Sequence, residues 1–522
     1  MNFTIIITIC QMFQKDESFN SNILPPGKEA SERKGGQWDD IIQSRGDPYF
    51  RSRGVVPMTI QSIRPTIQSI NPATEEVLET FELFTDEQIN AALDQARSTF
   101  LRWRDTSFAE RAGLFRRLAA YLREHKEGLG RLITLEMGKP IAEAEAEIVK
   151  CAWGCDYYAE HAEQFLADQP VESSASESYV AFRPLGVVLA LMPWNFPFWQ
   201  VFRFAAPALM AGNTTVLKHA SNVSRCALEI ERVFRECGFP EGVFRTVLVR
   251  GSETEKLISD PRIAAVTLTG SAEVGMEVAA ASGRALKKHV LELGGSDAFI
   301  VLEDADLDAA AEWAARSRFQ NTGQSCIAAK RFIVVESVAA DFERRFVEAA
   351  SRLRMGDPLQ RETQIGPLAR GDLRETLRRQ VEETLQMGGR LLLGGKPGSG
   401  RGFFYEPTIV SGVTPAMPLF REETFGPAAA VIYARDAEHA LELANASPFG
   451  LGGNIWTRNV ERARQMARHF ETGGVFINGM TASDPRLPFG GVKHSGYGRE
   501  LSVFGIREFV NIQTVWIGPA RQ

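Results

Sequence analysis

The chain has 522 residues, more than one hydrophobic core usually holds, so two or more domains are expected. Apolar residues make up 44% and charged residues 24%, an ordinary globular balance, and a net charge of −6 offers no basic surface that would seek nucleic acid. Six cysteines are too few for a disulfide scaffold, and no CxxC pair has histidines behind it, so no metal is assigned and a reducing, cytoplasmic setting is expected.

The first apolar run, Phe3 to Cys10, is too short to span a bilayer and lacks a basic start and a small-residue cleavage site, so no membrane anchor is expected. Residues 1–57 show no sustained period and read as a poorly ordered leader, which a translational start at Met58 would omit. TIQSI at Thr59 recurs at Thr66, but two copies do not make a repeat protein. Thr85 with Gln88 forms a capping-box pattern, and Ile89, Ala92, Leu93, Ala96 and Phe100 follow at helical spacing. Further amphipathic helices are readable at 108–127 and 140–166; within the latter, Cys151 and Cys155 lie one turn apart and read as small core thiols.

After Ser-rich text at 173–178, strands and helices alternate over 186–192, 199–211, 214–218, 224–237, 243–249, 263–269, 272–283 and 288–293. That order requires a parallel sheet covered by helices. A second strand-and-helix series runs from about 298 to 480, interrupted by a flexible stretch from Gly394 to Gly402. Two α/β domains with a crevice between them are therefore predicted.

Four segments carry residues suited to chemistry. In IAAVTLTGSAEVG a strand runs into Gly270, Ser271 and Gly275, where glycines admit close backbone approach and a helix start attracts phosphate; a plain glycine turn fits the same residues. In KKHVLELGG, Glu292 sits in a strand that should be buried, so it must be paired, protonated or functional, and desolvation would raise it toward the range of a base for water. Cys326 in FQNTGQSC follows a glycine turn after a helix; a lone cysteine is usually a small buried hydrophobe, and only its company suggests catalysis. In MPWNFPFW two prolines enclose Trp194 and Asn195, whose amide can either donate to a developing oxyanion or simply tie up a loop.

Taken in order, PWNFP at 193–197, LTGS at 268–271, LELGG at 291–295, GQSC at 323–326, EETFGP at 422–427 and PFGGVKHSGYGRE at 488–500 resemble the aldehyde dehydrogenase superfamily, from about residue 68 to the C-terminus. The resemblance implies an α/β fold with a Rossmann-type NAD(P)-binding domain at 58–166 and 186–293 and an α/β catalytic domain at 294–494. It also implies a β oligomerisation arm at 167–185 and 495–522, built from a hairpin near 167–185 and a strand near 508–518, in a homodimer or homotetramer.

By the same resemblance Cys326 attacks an aldehyde carbonyl, Asn195 and the Cys326 N–H hold the oxyanion, and Glu292 activates the water that hydrolyses the thioester. For an NAD or NADP cofactor it implies Lys218 at the adenosine ribose, Ser271 at the pyrophosphate and Glu423 with Phe425 at the nicotinamide, with Trp194, Gly270 and Gly275 beside them. Where NAD-selective members often carry a glutamate, three residues after the lysine, this chain has Ser221, so NADP is expected to be tolerated alongside NAD.

The text around KHASNV and FPFWQVFRFAAPAL is similar to succinate-semialdehyde dehydrogenases. Arg203, eight residues after Asn195, is implied to clamp the distal carboxylate of such a substrate, contributing on the order of 1.5–3 kcal/mol. A second arginine of one subgroup is Gln320 here; Arg486 either substitutes for it or is simply exposed. Two rivals stand beside this reading: a CoA-acylating semialdehyde dehydrogenase, which usually lacks the glutamate at Glu292, and a non-catalytic nucleotide-binding protein on the same fold.

Overall fold

The computed structural model describes residues 65–518; the leader, its apolar run and Met58 lie outside the described residues. A hairpin of β1 (Thr66–Ile70) and β2 (Val77–Glu82) leads into four helices: α1 (Asp86–Trp103), α2 (Phe108–Glu124), α3 (Lys126–Met137) and α4 (Ile141–Phe165). The Thr85/Gln88 capping box is present, and Ser107 with Glu110 forms a second one ahead of α2. Each satisfies two donors at a helix start that would otherwise lack partners. The strands β3 (Gln169–Pro170) and β4 (Glu177–Pro184) follow.

The next elements are β5 (Val187–Met192), α5 (Trp199–Met210), β6 (Thr214–His219), α6 (Ser224–Glu236), β7 (Phe244–Thr246), α7 (Thr254–Ser259), β8 (Ile263–Thr269), α8 (Ala272–Arg284) and β9 (Lys288–Glu292). Every residue of β5 is buried, because helices cover both faces of the sheet. Burying each of its large apolar side chains contributes roughly 1.5–3 kcal/mol. In space β5 lies between β8 and β6, parallel to both. The chain therefore winds from β5 through β6 to β7 on one side and through β8 to β9 on the other. The point where the winding reverses opens a crevice beyond the carboxyl ends of β5 and β8.

A second, seven-stranded sheet uses β10 (Asp297–Val301), then α9 (Leu307–Phe319), β11 (Ala329–Val335), α10 (Glu336–Ser351), α11 (Gly371–Gln386), β12 (Arg390–Leu393) and β13 (Thr408–Ser411). It continues through α12 (Pro418–Arg421), β14 (Ala428–Ala434), α13 (Ala437–Asn445), the two-residue β15 (Phe449–Gly450), β16 (Gly452–Trp456), α14 (Val460–Ala467) and β17 (Gly474–Ile477). The order is β12-β13-β14-β11-β10-β16-β17, parallel except for β12 against β13. Two buried apolar clusters cover its faces, one with Phe420, Val410 and Ile432, the other with Phe299, Phe332 and Phe346.

The C-terminal segment ties the parts together. β18 (Val492–Lys493) pairs with β15, and β19 (Gly496–Tyr497) pairs antiparallel with β9, placing Gly496 opposite Glu292. After α15 (Ser502–Glu508), β20 (Val510–Ile517) runs antiparallel to β4 over its whole length, forming with β3 a separate three-stranded sheet.

Candidate active site

The loop between α9 and β11 presents Cys326 to a cavity of about 680 Å³, and its backbone is unusual. Asn321, Thr322 and Gly323 have φ of +51°, +54° and +72°, a left-handed run that two non-glycine residues sustain only under tertiary constraint. The constraints are visible. Glu143 Oε2 accepts from Asn321 N at 2.6 Å, and Asn321 Nδ2 donates to Asn195 O at 2.8 Å and Gln324 O at 3.0 Å. Buried Arg318 donates to Ala329 O at 3.1 Å, Gly323 O at 2.8 Å and Thr424 O at 3.2 Å, and also to Gly426 O. Lys330 Nζ donates to Ser325 O at 2.9 Å and Cys326 O at 2.6 Å and lies 3.6 Å from the Glu423 carboxylate.

Asn195 projects from the loop after β5, with its side chain buried and Nδ2 donating to Gln324 O at 3.2 Å. This contact links the amide to the Cys326 loop. His219 fixes the same loop: its Nε2 lies 2.9 Å from Pro197 O, and its Nδ1 lies 2.9 Å from Ala220 N and 3.2 Å from Met192 O. Burial holds His219 down at about 4, so it is neutral and structural. Helix α5 starts on Glu147, whose Oε1 accepts from Phe198 N at 2.8 Å and Trp199 N at 2.9 Å while its other oxygen pairs with buried Lys139.

Arg203, one of the residues lining the cavity, is already engaged. Its Nε forms a buried ion pair with Glu500, its Nη2 lies 3.4 Å from Thr269 Oγ1, and the guanidinium sits 4.4 Å over the Phe489 ring. The open bidentate fork expected from the sequence is thus partly committed inside the protein. Glu292 is buried beside this pair, with both oxygens lacking a hydrogen-bond partner among the described residues. Burial drives its carboxyl well above the ordinary range, the Glu500 carboxylate adds to the rise, and Arg203 opposes it. Glu292 does not line the cavity that Cys326 faces; its Oε1 lies where a Cβ on Gly490 would intrude.

A second cavity of about 660 Å³ occupies the crevice at the winding reversal. Met192 and Pro193 after β5, Thr269 at the end of β8, Lys218, and Val274 and Val278 of α8 line it. The donor set fits a dinucleotide: a half-buried ammonium, an apolar slot for a base, and the start of α8 capped by Ser271, which accepts from Val274 N at 3.4 Å. Gly270 N donates to Glu292 O, linking this crevice to the β9 strand. Gly275 serves packing here, since a Cβ would lie 2.5 Å from Leu293 Cδ1. Ser221 is exposed at a 3₁₀ turn after β6. Trp194 and Phe425 meet edge to face at 5.6 Å, and Glu423 Oε1 accepts from Gly295 N at 2.9 Å, though none of these side chains lines either cavity.

Arg486 is exposed and paired with Asp484 at 2.6 Å, so it does not stand in for the missing second arginine; Gln320 does line the cavity. The sequence reading gave no role to Glu500, Lys330, Arg318 or Glu143. Glu500 closes a motif that was already singled out, whereas the other three gave no local signal. Among the described residues no cluster of histidine, cysteine or carboxylate side chains could hold a metal, and no helix is long and apolar enough to cross a membrane.

The model of the aldehyde dehydrogenase family matches residues 59–515. A Synechocystis protein named probable succinate-semialdehyde dehydrogenase [NADP(+)] is 52% identical over 86% of this chain and 99% of its own length. The Escherichia coli succinate semialdehyde dehydrogenase [NAD(P)+] Sad is 53% identical over 86% of this chain and 97% of its own. The crystal structure of succinic semialdehyde dehydrogenase from Streptococcus pyogenes in complex with NADP+ superimposes with a TM-score of 0.85 at 38% identity, covering 87% of this chain and all of that one.

Proposed function

The chain belongs to the aldehyde dehydrogenase family, and from that premise we propose that it oxidises succinate semialdehyde to succinate with NADP or NAD. In this reading Cys326 loses its proton and adds to the aldehyde carbon, giving a thiohemiacetal whose oxygen is held by the Asn195 amide and the Cys326 N–H. Lys218 and the other residues of the second cavity would hold the cofactor, which would supply the acceptor for the hydride leaving that carbon. The resulting thioester is hydrolysed by a water that Glu292 deprotonates, and succinate leaves. Glu292 must first turn from its enclosed position toward the sulfur.

The observation that carries the substrate assignment is that Cys326 shares its cavity with cationic side chains, among them the half-buried Lys150 and the buried Arg203. A neutral aldehyde has no use for them, whereas a carboxylate-bearing one does. Retention of Glu292 favours water over CoA as the acceptor of the acyl group, and Cys326, Asn195 and Glu292 together speak against a non-catalytic role. Ser221, with no carboxylate to repel a 2′-phosphate, favours use of NADP. The exposed β4–β20 sheet supports assembly as a homodimer or homotetramer, and the sparse free cysteines suit a cytoplasmic setting.

The test is a panel of kcat/KM values for acidic, neutral and aromatic aldehydes with each cofactor. Succinate semialdehyde should lead the panel, with turnover lost in Cys326→Ala. Equal efficiency on butanal would refute the substrate, and turnover surviving in Cys326→Ala would refute the nucleophile.

A further inference from the structure

Lys150 of α4 lines the same cavity as Trp199, Arg203, Ser483 and Cys326. Its Nζ donates to Ser483 Oγ at 2.7 Å and lies 4.6 Å over the Trp199 ring. Trp199 Nε1 donates to the same hydroxyl at 3.0 Å. Ser483 Oγ therefore accepts twice, which leaves its own proton without an acceptor among the described residues.

The ammonium is withdrawn from water, and burial with Arg203 nearby pushes it down to about 8. Yet among the described residues it has no ion-pair partner. The contrast is with Lys139, just before α4, which is paired with Glu147, and with Arg203, which is paired with Glu500. An enclosed ammonium with no carboxylate in ion-pair contact, beside a free hydroxyl proton, is a site that wants an anion. Of the three donors of an ammonium only one is used by Ser483, so the rest can face the cavity.

We propose that Lys150, oriented by Ser483 and Trp199, receives the distal carboxylate of the aldehyde, while Arg203 serves chiefly to balance Glu500 and to bias Cys326. This rests on the reading of the substrate as an acidic aldehyde, and it names the residue that selects it. Lys150 is a specificity determinant and takes no part in bond making.

The experiment compares kcat/KM for succinate semialdehyde with that for butanal in the full-length enzyme, its Lys150→Met and Lys150→Arg variants, and Ser483→Ala, all with NADP. The acidic-to-neutral ratio should fall about tenfold to a hundredfold in Lys150→Met, mainly through KM, with most of it restored in Lys150→Arg. Ser483→Ala, which leaves α4 intact, should lower the ratio several-fold by releasing the ammonium from its anchor. A ratio within about twofold of wild type in either Lys150→Met or Ser483→Ala, with the melting temperature unchanged, overturns the proposal. A wild-type enzyme with no preference for the acid defeats the substrate reading itself, and this inference with it.

Discussion

At Cys326 two opposing effects meet: burial pushes the thiol up to about 12, while Arg203 and Lys330 draw it back down. Glu292 is displaced in the same direction, upward, by burial and by Glu500. In the proposed mechanism both groups work in the deprotonated form, so a raised pKa means that activity is lost as pH falls and gained as it rises. We predict that kcat/KM climbs across roughly pH 6 to 8, without a plateau below neutrality, until Lys150 begins to shed its proton. Initial rates in an overlapping buffer series check this, and a flat profile contradicts it. Glu292 was legible in the sequence because a carboxylate is out of place in an apolar strand. Lys330 and Arg318 were not, because Arg318 binds backbone carbonyls far away in the chain, such as Thr424 O, and Lys330 binds Ser325 O and Cys326 O in a turn that no local pattern encodes.

The elements hold the site by backbone geometry as much as by side chains. Gly323, at φ +72°, faces Gly426 O so closely that a Cβ would collide with it, and it lies three residues before the proposed nucleophile, Cys326. Gly323→Ala should lower kcat/KM by about a hundredfold, as a displacement near 1 Å does, while NADP binding by fluorescence titration stays near wild type. Gly283, in α8 with open space around it, is the control, and its alanine variant should keep full activity. Unaltered turnover in Gly323→Ala would contradict the account of the loop.

Strongly periodic elements such as α1, β5 and β8 were readable from the sequence, and so was the Thr85/Gln88 capping box. The readable helix at 108–127 is in fact α2 ending at Glu124, with α3 following at once and no glycine or proline to mark the break. The left-handed run at Asn321 and Thr322 could not be read either, since nothing in those residue types demands it and distant partners such as Glu143, Asn195 and Gly366 hold it.

On the scale of the whole molecule, a six-stranded and a seven-stranded sheet are accompanied by a separate three-stranded sheet of β3, β4 and β20, to which the proposed function gives the work of assembly. On β20, Ile512 and Trp516 share one face and are 62% and 54% exposed, more apolar surface than an isolated strand usually leaves to water. Ile512→Asp with Trp516→Asp should shift the species seen in sedimentation equilibrium to the monomer; an unchanged mass would place the interface elsewhere. The chemistry is tested most directly by stopping it halfway. Glu292→Gln, mixed with succinate semialdehyde and NADP and quenched in acid, should release about one equivalent of NADPH in a burst and then stall. Mass spectrometry should then find the acyl group on the peptide carrying Cys326. A burst with no adduct on that peptide, or steady turnover at the wild-type rate, would contradict the account.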